Sequence, residues 1–89
     1  MSEVRSASPR YWLNRALFDL GDAQARAAFK ADKEAYLTQY PLDQAAREAL
    51  IGPGWRALVD LGGLPNLIFK YYMFHGHAPE TFPDALESN

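Results

Sequence analysis

The chain contains no cysteine, so neither a disulfide nor a thiolate metal site can stabilise it, and nothing indicates an oxidising compartment. A long apolar run is also absent: the longest, residues 71–74, is far too short to span a membrane, and the N-terminus has no signal-peptide core. The formal net charge is -2 and the arginines are scattered, so no basic stripe indicates a nucleic-acid site. We therefore expect a cytoplasmic protein without a nucleic-acid or membrane partner.

Helix signals recur along the chain. Ser8 followed by Pro9 is typical of a helix start, and the apolar residues after it return at helical spacing until Gly21, where we expect a left-handed stop. Further aspartates are placed as helix caps, namely Asp22, Asp32 and Asp43. The chain either bends at Asp32 or continues there as one helix. Because no segment alternates with period two, the sequence predicts an all-α fold, a single small domain of about five short helices.

The central stretch, residues 54–74, is the main functional clue. It predicts a short amphipathic helix, a break at Gly62-Gly63, and a second helix that opens at Pro65 and is apolar on almost every side. The double glycine allows either close helix packing or a positive φ. An 89-residue chain has little material to cover an all-round apolar helix, so we expect part of this helix to contact a partner.

The ends of the chain divide it into three parts. We expect a mobile arm at residues 1–7, a helical domain at 8–78 and a Pro-containing tail at 79–89. His75, His77 and Glu80 invite a metal-site interpretation, but three ligands within six residues make a poor facial triad, and histidines are also favoured at a helix C-terminus. A third interpretation points one histidine into an active site shared with a partner.

Several motifs together resemble a known family. They are Phe29-x-x-Asp32-x-x-Ala35-Tyr36-x-x-x-Tyr40-Pro41-Leu42, then Arg47-x-Ala49-Leu50, then Trp55-x-x-Leu58-Val59-x-Leu61-Gly62-Gly63, with a lysine seven residues after Gly63. Over roughly residues 12–74 this succession resembles the small (alpha) subunit of protocatechuate 4,5-dioxygenase and its relatives, the LigA-type domain of the LigAB family.

The resemblance implies a non-catalytic subunit of a type II extradiol dioxygenase. In that family a large (beta) subunit holds Fe(II), through two histidines and a glutamate, and opens a catecholic ring with O₂, while the small subunit covers the active site. It therefore implies no metal or cofactor on this chain and an aromatic diol at the shared site. The family usually has asparagine where Leu64 stands here, and a less polar lid would suit a bulkier diol, such as an aminobiphenyl-diol, as well as protocatechuate or gallate.

Two sets of site residues follow from the resemblance and the central stretch. The substrate-pocket lid is predicted at Leu64, Asn66, Phe69, Lys70 and His75. The partner interface is predicted at Trp55, Phe69, Tyr71, Tyr72 and Phe74. Two other hypotheses stay open: a free-standing helical interaction module that serves a different enzyme, and a self-contained metalloenzyme built on His75 and His77.

Overall fold

The computed structural model describes residues 8–88, which form α-helices and one short 3-10 turn without any strand in that range. The predicted arm at residues 1–7 lies outside the described residues. The helices are α1 (Pro9–Asp19), α2 (Ala23–Ala31), α3 (Lys33–Leu37), α4 (Gln44–Ile51), α5 (Trp55–Asp60), α6 (Pro65–Phe74) and α7 (Phe82–Ser88), with the 3-10 turn at Pro79–Thr81. The all-α prediction is confirmed. Within this range no helix combines the length and apolar character needed to cross a membrane.

The helix starts lie where side-chain caps satisfy free backbone amides. Asp22 accepts a hydrogen bond from the backbone N–H of Ala25, and Asp43 accepts one from that of Ala46. Asp32 is extended, with φ −158° and ψ 95°, and ends α2 while its carboxylate caps α3. The open question at this position is thus resolved in favour of a bend, which is one reason why the helices outnumber the predicted five.

The expected left-handed stop at Gly21 is wrong. Helix α1 ends at Leu20, which has right-handed φ and ψ, and Gly21 follows without a positive φ. Among the described residues, the positive-φ positions are Gly62 and Gly76, at 97° and 86°. The second of these follows the His75 cap of α6, a usual position for a glycine with positive φ.

The two glycines between α5 and α6 serve different purposes. Gly62 takes the positive φ. At Gly63 a β-carbon would lie 2.9 Å from the Leu58 carbonyl oxygen and 2.8 Å from Ile68 Cδ1, so only glycine allows this close approach. Both alternatives considered for the pair therefore hold, one at each position.

The core is a continuous cluster to which most helices contribute leucines. Its completely buried large side chains are Leu13, Leu20, Leu37, Leu50, Leu58 and Ile68. Helix α1 packs along α6, α5 packs against both α4 and α6, and α3 packs between α2 and α4.

The chain itself covers more of α6 than we expected. Trp55, Tyr71 and Tyr72 are only 9 %, 3 % and 4 % exposed. Tyr72 packs against Trp55 with ring centroids 5.0 Å apart and against Phe82 at 5.1 Å, and Phe82 also meets Phe69 at 5.1 Å. The inference that this chain has too little material to cover the helix is therefore corrected for Tyr71 and Tyr72. Phe29 of α2 and Trp55 of α5 cover Tyr71, whereas Trp55 and Phe82, which lies in the predicted tail, cover Tyr72. The tail is helical in its described part.

Candidate functional site

The predicted lid residues are spread along α6. Leu64 and Asn66 are exposed at its start, Lys70 is exposed near its middle, and His75 follows its last residue. Phe69 is half-buried against Phe82. Leu64 and His75 are eleven positions apart in the sequence, about 16 Å along a helix. The structure therefore does not bring the five residues together in one pocket of this chain.

The predicted interface residues divide into two groups. Trp55, Tyr71 and Tyr72 lie in the core of this chain, and the Tyr71 hydroxyl donates a buried hydrogen bond of 2.6 Å to the Leu50 carbonyl. Burial raises the pKa of Tyr71, so this phenol stays protonated as a donor. Phe74 is 42 % exposed and Phe69 is half-buried, so these two side chains are the ones that a partner can reach.

Exposed large apolar side chains are confined to one pair of helices. In the part of the chain that the structure describes, all of them belong to α1 or α6 or cap α6: Tyr11, Phe18, Leu64, Met73 and Phe74. Because Tyr11 and Phe18 are seven residues apart, they share one side of α1. Helices α1 and α6 pack together, so the exposed side chains belong to one helix pair. We call the surface of this pair the α1/α6 face.

An apolar groove of about 410 Å³ lies on the α1/α6 face. Its apolar walls are Leu17, Phe18, Leu67 and Phe74. Lys70 also lines the groove, and none of the described residues forms an ion pair or hydrogen bond with its amine. The carboxylates of Asp19 and Asp22 line it as well, so the groove combines an apolar floor with charged groups of both signs.

A second depression, of about 440 Å³, lies on the other side of Phe74, between α2, the start of α3 and the end of α6. Its cations are Arg26, Lys30 and Lys33, its aromatic walls are Phe29, Tyr71 and Phe74, and Leu20, Ala27 and His75 complete the lining. No carboxylate lines it. We call it the basic cleft.

The cations of the basic cleft are held differently. The Arg26 guanidinium lies 3.9 Å above the Phe74 ring, and its Nη1 donates to the carbonyls of Leu20 (3.1 Å) and Gly21 (2.9 Å). The Lys33 amine lies 5.8 Å from the Phe29 ring. The Lys30 amine has no ion pair or hydrogen bond among residues 8–88. Arg26 is thus fixed in place, whereas the two lysines are free to meet a ligand.

His75 borders the basic cleft beside two aromatic rings. Its imidazole packs edge-on against Tyr71 at 4.7 Å and against Trp55 at 5.4 Å between centroids. Partial burial, with smaller electrostatic contributions from Lys33 and His77, lowers the pKa of His75 below its ordinary value. The ring is therefore neutral near pH 7 and adds no positive charge to the cleft.

The metal-site interpretation finds no geometric support. His77 stacks on Tyr72 at 4.5 Å, and the His75 and His77 rings lie parallel with centroids 6.4 Å apart. Across residues 8–87, no three histidine, aspartate or glutamate side chains are grouped so that they could hold a metal ion. In this chain both histidines pack against aromatic side chains.

Asp19, the last residue of α1, connects this helix to a later part of the chain. Its carboxylate accepts a 2.7 Å hydrogen bond from the Tyr40 hydroxyl and pairs with Arg15 at 3.2 Å. Tyr36 extends the network through its hydroxyl, 3.1 Å from that of Tyr40. Burial, followed by these hydrogen bonds, raises the pKa of Tyr40. The network joins α1 to the end of α3 and has a structural role.

The basic cleft was missed by sequence reasoning, although part of its signal was present. Arg26 and Lys30 are four residues apart, the spacing of one helix face, and Lys33 follows them after the bend at Asp32. The arginines alone are scattered, so the two lysines carry this signal. The approach of Phe74 and His75, more than 40 residues further along the chain, carries no local signal.

Comparison with known proteins identifies the family. A family model described as aromatic-ring-opening dioxygenase LigAB, LigA subunit, matches residues 13–81, which run from the first turns of α1 to the 3-10 turn before α7. No solved structure gives a significant match to the chain. The match covers most of the described helices, and it includes both the α1/α6 face and the basic cleft. The chain belongs to the LigA-subunit family of LigAB aromatic-ring-opening dioxygenases.

Proposed function

We propose that this chain is the non-catalytic small subunit of a type II extradiol dioxygenase and covers the active site of a large subunit. The large subunit would hold Fe(II) and open a catecholic ring with O₂. Membership of the LigA-subunit family supports the assignment to a two-subunit, ring-opening enzyme. No three histidine, aspartate or glutamate side chains among residues 8–87 are grouped to hold a metal ion, and the proposal places the iron in the large subunit.

The observation that carries the proposal is the α1/α6 face. Phe18 is 63 % exposed and Phe74 is 42 % exposed, and both border the apolar groove. Neighbouring aromatic side chains left in water beside an apolar groove mark a protein-binding surface. A large subunit seated there would remove both rings from water.

The exposed start of α6 supports the lid role. Leu64, Asn66 and Lys70 all reach solvent from this helix, so a subunit docked on the α1/α6 face would lie beside them. In the proposal Lys70 meets a substrate carboxylate or an acidic group of the large subunit. Leu64 lines the less polar part of the lid, which suits a bulky diol as well as protocatechuate or gallate.

The test is reconstitution with a large subunit. The chain is tagged and isolated from its native extract, and the large protein that elutes with it is identified and expressed separately. We expect Fe(II)-dependent extradiol cleavage of catechols, followed by the absorbance of the ring-opened product, to be much higher for the two proteins together than for either alone. A stable partner that is not a dioxygenase would support the interaction-module hypothesis instead. Ring cleavage by the 89-residue chain with Fe(II) alone would contradict the non-catalytic assignment.

A further inference from the structure

We propose that the basic cleft receives an acidic segment of the large subunit, in which carboxylates flank an apolar or aromatic side chain. This inference rests on the proposed function, because it names the contact through which the same partner is held. It adds a second contact area, formed by α2 and α3, to the apolar contact on the α1/α6 face.

The charges of the cleft point to carboxylates. Three cations line it without an acidic side chain, and the free Lys30 and Lys33 amines have no ion pair among the described residues. The whole chain carries a formal charge of -2, so the cleft is a locally basic site on a protein whose net charge is negative. A partner with carboxylates at this position would be attracted and oriented by the cleft, whereas a basic partner would be repelled.

Arg26 is preorganised to bind a carboxylate. Its two intramolecular hydrogen bonds both use Nη1, and within the described residues none uses Nε or Nη2. The Phe74 ring below it and the carbonyls of Leu20 and Gly21 hold the guanidinium plane in place. Binding of a carboxylate to the remaining N–H groups therefore loses less side-chain conformational entropy than binding to a mobile arginine would.

The aromatic walls point to an apolar side chain beside the carboxylates. Phe29, Tyr71 and Phe74 line the same cleft, and a ring inserted among them would pack edge-to-face, as Phe29 and Tyr71 already do with their neighbours. Cations at the rim and aromatic rings at the base form one binding surface. This surface matches a segment that carries carboxylates beside an apolar or aromatic side chain.

A polypeptide fits the surface better than a small molecule does. Phe74 lines both the basic cleft and the apolar groove, so the two depressions adjoin. A small aromatic acid in the basic cleft would leave the groove uncovered and Phe18 63 % exposed. A specific protein partner buries about 800 Å² on each side, enough to extend across Phe74 over both depressions.

The first test compares two double variants that remove the same amount of charge. Lys30→Gln/Lys33→Gln neutralises the free lysines of the cleft. The control, Arg47→Gln/Arg56→Gln, neutralises two arginines of α4 and α5 that make only local hydrogen bonds and line neither the basic cleft nor the apolar groove. We expect the cleft variant to bind the large subunit about tenfold or more weakly, with a smaller effect of added salt, and the control to bind within about twofold of the unchanged chain.

The outcomes separate this inference from the proposed function. If the unchanged chain does not bind a dioxygenase large subunit, the proposed function fails. If it binds and both double variants bind equally well, or are equally weakened, the proposed function stands and the acidic-segment inference is overturned.

The second test does not need the large subunit. Backbone amide signals of the ¹⁵N-labelled chain are followed during titration with the acetylated, amidated tripeptide Glu-Phe-Glu, with Gln-Phe-Gln as the control peptide. We expect the acidic peptide to shift signals of residues 26–33 and 71–75, and the neutral peptide to leave them in place. Absence of a shift with millimolar acidic peptide would contradict the inference.

Other occupants of the cleft would give different results in the same experiment. Benzoate that shifts these signals at lower concentration than the acidic peptide would assign the cleft to a small aromatic acid. Concentration-dependent shifts of the chain alone, abolished by Lys30→Gln/Lys33→Gln, would assign it to a second copy. Either result would overturn the proposal.

Discussion

Asn14 and Leu64 lie fifty residues apart in the sequence and are joined by a 2.7 Å hydrogen bond from the Leu64 backbone N–H to Asn14 Oδ1. Asn14 Nδ2 in turn donates to the Gly62 carbonyl at 3.1 Å. One side chain of α1 thus holds both ends of the glycine turn and fixes the position from which α6 begins. Leu64, a predicted lid residue, is placed by this contact rather than by packing, since its own side chain is 43 % exposed.

We predict that Asn14→Ala lowers the free energy of unfolding by about 1 to 3 kcal/mol, because two backbone groups of the turn lose their partner. Asn66→Ala, an exposed change on the first turn of α6, is the control and should stay within about 0.5 kcal/mol. Urea denaturation followed by tryptophan fluorescence measures both. Equal stability of the two variants would show that the Asn14 contacts do not hold the turn.

Alanine substitutions at Gly63 and Gly76 should lower stability by different amounts, because the two positions require glycine for different physical reasons. Gly63→Ala is expected to destabilise the most, by about 1 to 3 kcal/mol, because its β-carbon would meet the Leu58 carbonyl and the completely buried Ile68. Gly76→Ala has open space and only a positive φ of 86°, so it should cost about 1 kcal/mol. Thermal unfolding of the two variants tests the order. A larger effect at Gly76 would contradict the close-packing explanation.

The helix caps could be predicted from the sequence because a cap depends on residues three positions away. Asp22, Asp32 and Asp43 each accept a hydrogen bond from the backbone amide three residues on. The burial of Tyr72 could not be predicted in the same way. It depends on Trp55 and Phe82, which only the tertiary fold brings to the two sides of its ring.

The candidate site likewise has some features that the sequence indicates and others that only the tertiary fold creates. The apolar character of α6 indicated a partner surface, and the exposure of Phe74 agrees with that expectation. However, the sequence did not show which aromatic residues remain exposed, because this depends on where α5 and α7 pack. The basic cleft depends on the end of α6 reaching α2 across the molecule, and no pattern within either helix indicates that approach.

Phe18 offers a test of the α1/α6 face that leaves the core intact. We predict that Phe18→Ser weakens binding to the large subunit by about 2 kcal/mol, roughly 30-fold, because an exposed ring at the groove loses its contact with the partner. Ala45→Ser, an exposed change on α4, is the matched control and should bind normally. Isothermal titration calorimetry measures both affinities. Unchanged binding of the Phe18 variant would show that this side chain is not part of the interface.

Tyr72 should behave differently from Phe18. It is only 4 % exposed and packs between Trp55 and Phe82, so we predict that Tyr72→Asp prevents folding by burying an unpaired carboxylate. Circular dichroism of the purified variant should show loss of helix. A folded Tyr72→Asp chain that merely fails to bind would indicate that this side chain belongs to the interface.

The pKa of His75 predicts a dependence of stability on pH. Since burial and nearby positive charge lower this pKa in the folded chain, the unfolded chain binds more protons at acidic pH. The free energy of unfolding should therefore fall as pH decreases through about 6.5, the ordinary histidine value, and this contribution should level off below the lowered pKa.

The matched variant is His75→Phe, which keeps a ring against Trp55 and Tyr71 but cannot be protonated. We expect the loss of stability between pH 7.5 and 5.5, measured by urea denaturation, to be smaller in this variant than in the unchanged chain. An identical loss in both would show that His75 does not contribute to it.

The shortness of the helices has a consequence for the whole molecule. The longest, α1, has 11 residues, and helices shorter than about 12 to 15 residues are marginal in water on their own. Each helix therefore persists only while the others surround it, and we expect the domain to unfold in a single cooperative step. Because both proposed contact areas require the folded domain, both would be lost when it unfolds and restored when it refolds. The amount of assembled enzyme would then be limited by one folding equilibrium, that of its smallest component.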